Sequence, residues 1–221
     1  MVIFQDFFRN FFIFFAERFC RLARILKTTH KRGDDMLATK EYDRGRAFTY
    51  AKRWAFSRNP LFNDYTGLGG NCTNFASQCA LAASLQMNFT PTFGWYYRSD
   101  TDRAPAWTGV PFFYNFMTTN AAEGPFGRAA TAEEMEIGDF VQLGRSEEDY
   151  YHTLVVVGRE GEDLLVAAQS DDAFMRPLST YTFVVSRYIH MLGVRIPLPT
   201  DEAAFAALLA GEALPVSPTT L

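Results

Sequence analysis

The cysteine in Gly69-Gly70-Asn71-Cys72-Thr73-Asn74-Phe75-Ala76-Ser77-Gln78 is the residue in this chain with the clearest capacity for covalent chemistry. Two glycines form a tight turn, and the apolar spacing after them predicts a helix with Cys72 in its first turn. A thiol there feels the positive end of the helix dipole and the unpaired first-turn N–H groups, and both favour thiolate, the nucleophilic form. The same N–H groups can hold an oxyanion forming on a carbonyl under attack. A cysteine nucleophile also needs a base. The chain has three histidines, and His152, which opens a predicted strand beside Tyr150 and Tyr151, is the one placed for that role. His30 lies in an unusual leader, and His190 falls within the last strand, packed or exposed. An imidazole base needs a third group to fix its tautomer and orientation. If the strands flanking the 160–163 turn form a hairpin, the far end of the second returns beside His152. That end carries Gln169, whose carbonyl oxygen can accept from the imidazole, and Asp171, the charged alternative. Asp171 and Asp172 would serve equally well as turn residues.

Other chemistries find no support in the spacing. There is no C-x-x-C or H-E-x-x-H, the glycines at 67, 69 and 70 are not followed by Gly-Lys-Ser/Thr, and no serine sits in a nucleophile elbow. Neither a metal nor a cofactor is expected. The formal net charge of −4 gives no bulk attraction to nucleic acid. Cys72 and Cys79, about 10 Å apart along one predicted helix, are too distant to bridge. Cys79 reads as a small buried hydrophobe, the bland alternative for Cys72 as well. Free thiols and the lack of a clear signal peptide suit a reducing, cytoplasmic setting. Export stays open if the start is mis-assigned.

The elements that must position these residues are legible in outline. With 221 residues and 48% apolar content, the chain can bury one sizeable core, and a monomer is expected. Residues 1–40 form a Phe-rich leader in which Phe7, Phe8, Phe11 and Phe12 are interrupted by charges, so no run approaches the roughly 18 apolar residues of a membrane span. The leader reads as a mis-assigned start ahead of Met36, as an amphipathic helix touching a membrane surface, or as a cryptic export signal. Residues 41–196 form the main domain. Ala47, Tyr50, Ala51, Trp54 and Ala55 recur at helical spacing, and Asn59-Pro60 stops that helix. The stretch from Asn88 to Gly127 is loop-rich and aromatic, with a short helix over 110–120. Its rings, Trp95 and Trp107 among them, either floor a substrate cleft beside Asn71 or pin a long connection onto the core. After a polar hinge at 131–137 the pattern turns to strands near 140–143, 151–158, 164–169 and 188–196, spaced for antiparallel pairing. Residues 197–221 hold an Ala-rich helix over 201–209 and a Pro-rich end. Helices followed by an antiparallel sheet make an α+β domain.

The order of a helix-borne cysteine, a strand histidine and a polar residue one strand later is the papain-like layout. Tyr42, Ala47, Tyr50-Ala51, Trp54-Ala55 and Arg58-Asn59-Pro60 precede Gly69-Gly70-Asn71-Cys72-Thr73-Asn74-Phe75, Trp95-Tyr96-Tyr97, Gly138-Asp139, His152 and Pro177-Leu178-Ser179. Together they resemble the bacterial putative amidase domain family, itself similar to CHAP and NlpC-like modules of the papain-like superfamily. The resemblance runs in order over about residues 42 to 185. It implies Cys72 as nucleophile, His152 as general base, and an amide bond in peptidoglycan or another peptide as substrate. It also implies Asp before the nucleophile and a histidine followed by Thr and Asp at the end of the next strand, where this chain has Asn71 and Gln169-Ser170-Asp171. Related modules use an amide as third residue. A module that keeps the fold to bind peptide or glycan without turnover, and an acyltransferase on the same fold, are the alternatives.

Overall fold

The computed structural model describes residues 37–198 and 202–211; the expectations for the leader before residue 37 lie outside the described residues. Its frame is an antiparallel sheet of seven strands: β1 (Leu37–Lys40), β2 (Gly124–Ala130), β3 (Phe140–Ser146), β4 (Asp149–Glu160), β5 (Asp163–Ala168), β6 (Ala173–Pro177) and β7 (Val185–Pro197). The order is β1-β7-β3-β4-β5-β6. One edge of the long β7 pairs first with β3 (185–189) and then with β1 (194–197), while β2 takes the other edge. The expected α+β class is what the structure has. Alternation along the central strands divides their side chains between two cores. Phe140, Val155, Val157 and Ala167 face the helices, whereas Val141, Leu143, Leu154, Val156 and Val166 build a second cluster on the opposite face.

Among the described residues there are five helices: α1 (Arg44–Trp54), α2 (Cys72–Ser84), α3 (Pro105–Thr108), α4 (Val110–Thr119) and α5 (Glu202–Ala210). Asp43 caps α1, its carboxylate accepting from Arg46 N at 2.9 Å. Ala47 and Ala51 are fully buried, as are Ala76 and Ala80 of α2, and such small side chains let two helices pack closely. Every residue of α2 from Cys72 to Leu81 is buried, so α2 is a central helix rather than an amphipathic one.

Three strands escape the sequence pattern, the first being β1, which occupies the last residues of the expected leader and pairs with β7. β2 is Gly-Pro-Phe-Gly-Arg-Ala-Ala, a composition with little strand propensity. It forms because β7 offers a free edge, and it needs a register shift at Phe126/Gly127. A Cβ on Gly127 would come within 2.4 Å of the His190 carbonyl oxygen, so only glycine fits that approach. β6 follows Asp171 and Asp172, over residues for which the sequence pattern gives no element. The polar hinge is a 3₁₀ turn at Ala132–Glu134 with a Thr131/Glu134 capping box.

Gly138-Asp139 acts as a structural clamp. Asp139 is fully buried, and its carboxylate accepts from Arg44 Nη1 (2.7 Å), Met191 N (2.9 Å) and Glu136 N (2.8 Å) and lies 2.7 Å from His190 Nδ1. One side chain thereby joins α1, the 3₁₀ turn and β7. A buried carboxylate persists because every lone-pair direction is met. His190 is thus a partner of this clamp.

Candidate active site

The turn ahead of Cys72 has the backbone its glycines allow. Gly69 (φ 106°) and Gly70 (φ 117°) both occupy the positive-φ region, which side chains rarely adopt. Asn71 takes the N-cap position with φ −105° and ψ 0°, yet its side chain makes no capping bond. That amide is committed elsewhere. Its Oδ1 accepts from Tyr65 N (3.0 Å) and Asn74 Nδ2 (2.9 Å), and its Nδ2 donates to Gln169 Oε1. Asn71 N donates to Ser170 Oγ. The first-turn amides that a Ser, Thr or Asp cap would take are therefore left free of side-chain acceptors among the described residues. Cys72 is 6% exposed, and its Sγ lies 3.8 Å from Thr73 Oγ1. Cys79, two turns on, is fully buried and its thiol is pushed up by burial, as a structural cysteine should be.

Gln169 has partners other than the expected imidazole. Besides accepting from Asn71, it donates through Nε2 to Trp54 O (2.6 Å) and Ser57 O (2.8 Å). It thus ties the end of β5 to the last turn of α1 and the first of α2. The two positions that depart from the resemblance, 71 and 169, are hydrogen-bonded to each other. An Asn–Gln pair at this depth keeps the contact without burying a charge.

His152 approaches the same corner from β4. Its neighbour Thr153 shares a 2.9 Å hydrogen bond between hydroxyls with Thr73, the neighbour of Cys72, and Gln142 Nε2 donates to Thr153 at 3.1 Å. This polar stitch pins the start of α2 onto β4. Thr153 shares the helix face with Val155 and Val157, whereas the His152 ring lies beside Tyr151 (centroids 6.4 Å apart) and Tyr181 (6.1 Å), which pack on the second cluster. His152 Nε2 and Tyr181 Oη are buried without hydrogen-bond partners among the described residues. Burial pushes the imidazole down to about 4, partly opposed by the negative charge of Asp171 and reinforced by Arg176, so the ring is neutral at physiological pH. No hydrogen bond joins His152 to Cys72 or Gln169 among the described residues. Of the two candidates for the third role, Asp171 is the one whose charge acts on His152, while it also bridges Arg176 at 2.7 Å. Cys72, through Asn71 and Ser170, and His152, through Asp171, converge on the turn after β5.

Trp95 and Trp107 are corrected by the structure: both are fully buried and cannot floor a cleft. Trp107 Nε1 donates to Asn74 Oδ1 (2.8 Å), Trp95 Nε1 to Ser77 Oγ (3.0 Å), and Ser77 Oγ to Trp107 O (2.8 Å). The rings pin the long connection onto α2, the other alternative for them. Asn71, 1% exposed with its amide committed as above, is likewise a framework group. Thr73, Asn74, Ser77 and Thr153 were missed as positioning residues. The signal for the first three is polarity on a helix too apolar to face water, and for Thr153 a hydroxyl in an apolar strand, since buried polar groups need partners.

A family model described as a putative amidase domain matches residues 41–192. The chain is 31% identical over 140 residues to the uncharacterized protein YhbB of Bacillus subtilis (strain 168), a stretch covering 62% of this chain and 44% of that protein. The chain thus spans less than half the length of that curated relative. No solved structure matches.

Proposed function

Because this chain belongs to the putative amidase domain family, we propose that it hydrolyses an amide bond as a papain-like cysteine enzyme, with Cys72 as nucleophile. The observation that carries the reading is the uncapped start of α2: Cys72 follows two positive-φ glycines and an N-cap residue whose side chain is turned away. The thiolate attacks the substrate carbonyl, and first-turn N–H groups hold the oxyanion. His152 takes the thiol proton as a neutral base and passes it to the leaving amine. It then draws a proton from water as that water attacks the thioester, restoring the thiol. Asp171 supports the imidazolium that forms in between. A bacterial cell-wall peptide is the substrate class the resemblance suggests, and the Bacillus relative is consistent with a bacterial setting.

One observation favours a second reading, a module that binds peptide or glycan without turnover. His152 is half-buried and neutral, its buried Nε2 has no partner among the described residues, and no hydrogen bond connects it to Cys72. Amine release from a panel of peptide amides and cell-wall muropeptides separates the two. The amidase reading expects turnover that is abolished in Cys72→Ser and reduced at least a hundredfold in His152→Gln. Saturable binding with no turnover by the wild type gives the binding reading first place.

A further inference from the structure

Away from Cys72 and His152, neither of which lines it, a groove of about 1240 Å³ runs between α1, α2 and the loops at 59–62 and 85–98. That is larger than the roughly 300–1,000 Å³ of a typical small-molecule site. Tyr50, Trp54, Leu81, Met87 and Phe89 give it apolar walls, and Arg46, Arg53 and Arg98 stand at its rim. We propose that this groove binds a single-chain amphiphile with an anionic head, of the fatty-acid class, whose acyl chain lies along α1 and α2 and whose head meets the arginines.

Three observations point that way. The first is charge. The protein carries a net −4, yet three arginines gather on one apolar opening. Arg53 stacks on Trp54 (4.2 Å to the ring centroid) and has no carboxylate partner among the described residues. Arg98 lies over Phe89 (4.6 Å) and holds Asp102 only at 3.4 Å. Arg46 is paired at 3.0 Å with Asp43, which also lines the groove, so Arg53 and Arg98 carry the positive charge of the mouth. Guanidinium groups laid on aromatic faces suit a site that is apolar in its walls and cationic at its mouth.

The second is an unspent donor. Gln78 is 4% exposed and lines the groove. Its Oε1 accepts from Tyr50 Oη at 2.8 Å, and Tyr50 Oη accepts from Asn59 Nδ2 at 2.7 Å. This chain fixes the amide with its Nε2 donor free of protein acceptors among the described residues. The third is local strain. Leu85 ends α2 in the left-handed region at φ 49°, where glycine or asparagine is the usual residue. This leucine instead shows its side chain, 39% exposed, in the groove.

The test uses the full chain and the amphiphiles themselves. Decanoate, dodecanoate and tetradecanoate are titrated at pH 8 below their micelle concentrations, following calorimetric heat and tryptophan fluorescence, in which Trp54 lies at the groove. The expected result is saturable binding that tightens about tenfold for every two methylenes and is at least tenfold weaker for dodecyltrimethylammonium than for dodecanoate. Arg53→Gln with Arg98→Gln removes that preference for the anion. Ala82→Trp, on the exposed side of α2 within the groove, blocks the chain and weakens binding at least tenfold, with circular dichroism confirming the fold. Leu85→Ser reports the same face if the tryptophan variant does not fold. Equal binding of cationic and anionic amphiphiles overturns the proposal, as does indifference of binding to both groove variants. It is equally overturned by binding confined to anionic vesicles, or by a dimer that covers the groove and excludes the acids.

Discussion

The acid stability of this fold should depend on one imidazole. Burial holds His152 at about 4, against 6.5 for a free histidine, so the folded protein resists a proton that the unfolded chain accepts. Between those two values the unfolded state binds more protons, and stability falls as pH falls. The contribution is fully present above pH 6.5, is lost progressively on acidification, and is spent once the folded imidazole titrates near pH 4. At about 1.4 kcal/mol per pKa unit, the loss at pH 4 is about 3 kcal/mol. Urea unfolding of the wild type and His152→Asn at pH 4, 5, 6, 7 and 8 isolates the imidazole and its coupling to Asp171, because carboxylates that do not act on residue 152 cancel. The stability lead of the wild type should shrink by about 3 kcal/mol between pH 7 and pH 4. A lead that stays constant across that range, or a His152 resonance titrating near 6.5, shows that burial does not hold this imidazole down.

Asp139→Asn leaves Arg44 and His190 facing a neutral amide in a buried clamp, and should cost about 3 kcal/mol in urea unfolding. Gly70→Ala forces a side chain to φ 117°, against Ser170. It should cost about 1–3 kcal/mol and slow alkylation of Cys72, read by peptide mass spectrometry, more than alkylation of unfolded protein. Asn71→Ala and Gln169→Ala should be non-additive by about 1 kcal/mol in a double-mutant cycle of urea stability, since each amide leaves the other unsatisfied.

The sequence declares most where chemistry and local geometry coincide. Gly69-Gly70 before Cys72 requires a positive-φ turn, and the turn is there. The helix around Ala47 and Ala51 follows from apolar spacing, and the strand through Leu154–Val157 from a β-branched run. The Gly124–Ala130 strand is silent because its residues have little strand propensity, and only the open edge of β7 recruits it. The tryptophans illustrate a different limit. Composition cannot distinguish a ring that meets substrate from one that is packed, and the partners that decide, Asn74 and Ser77, lie on α2 far from them in sequence. Gln169 was legible as a polar residue at the right strand end. Its partners were not, because Asn71, Trp54 and Ser57 reach it only through the packing of α1 and α2. The order of cysteine on a helix and histidine on a later strand was readable, whereas the face of β4 that His152 occupies follows from the pairing at Leu143 and Gly144, where the register shifts.

The most direct test of the central proposal is to trap the acyl-enzyme. The protein is mixed with an activated acyl ester, quenched in acid, and digested for peptide mass spectrometry. The expected result is an acyl adduct on Cys72 that hydroxylamine removes and that decays with turnover, with Cys79 unmodified and the adduct absent in Cys72→Ser. Absence of any adduct on Cys72, or ester cleavage that proceeds equally in Cys72→Ser, would contradict it.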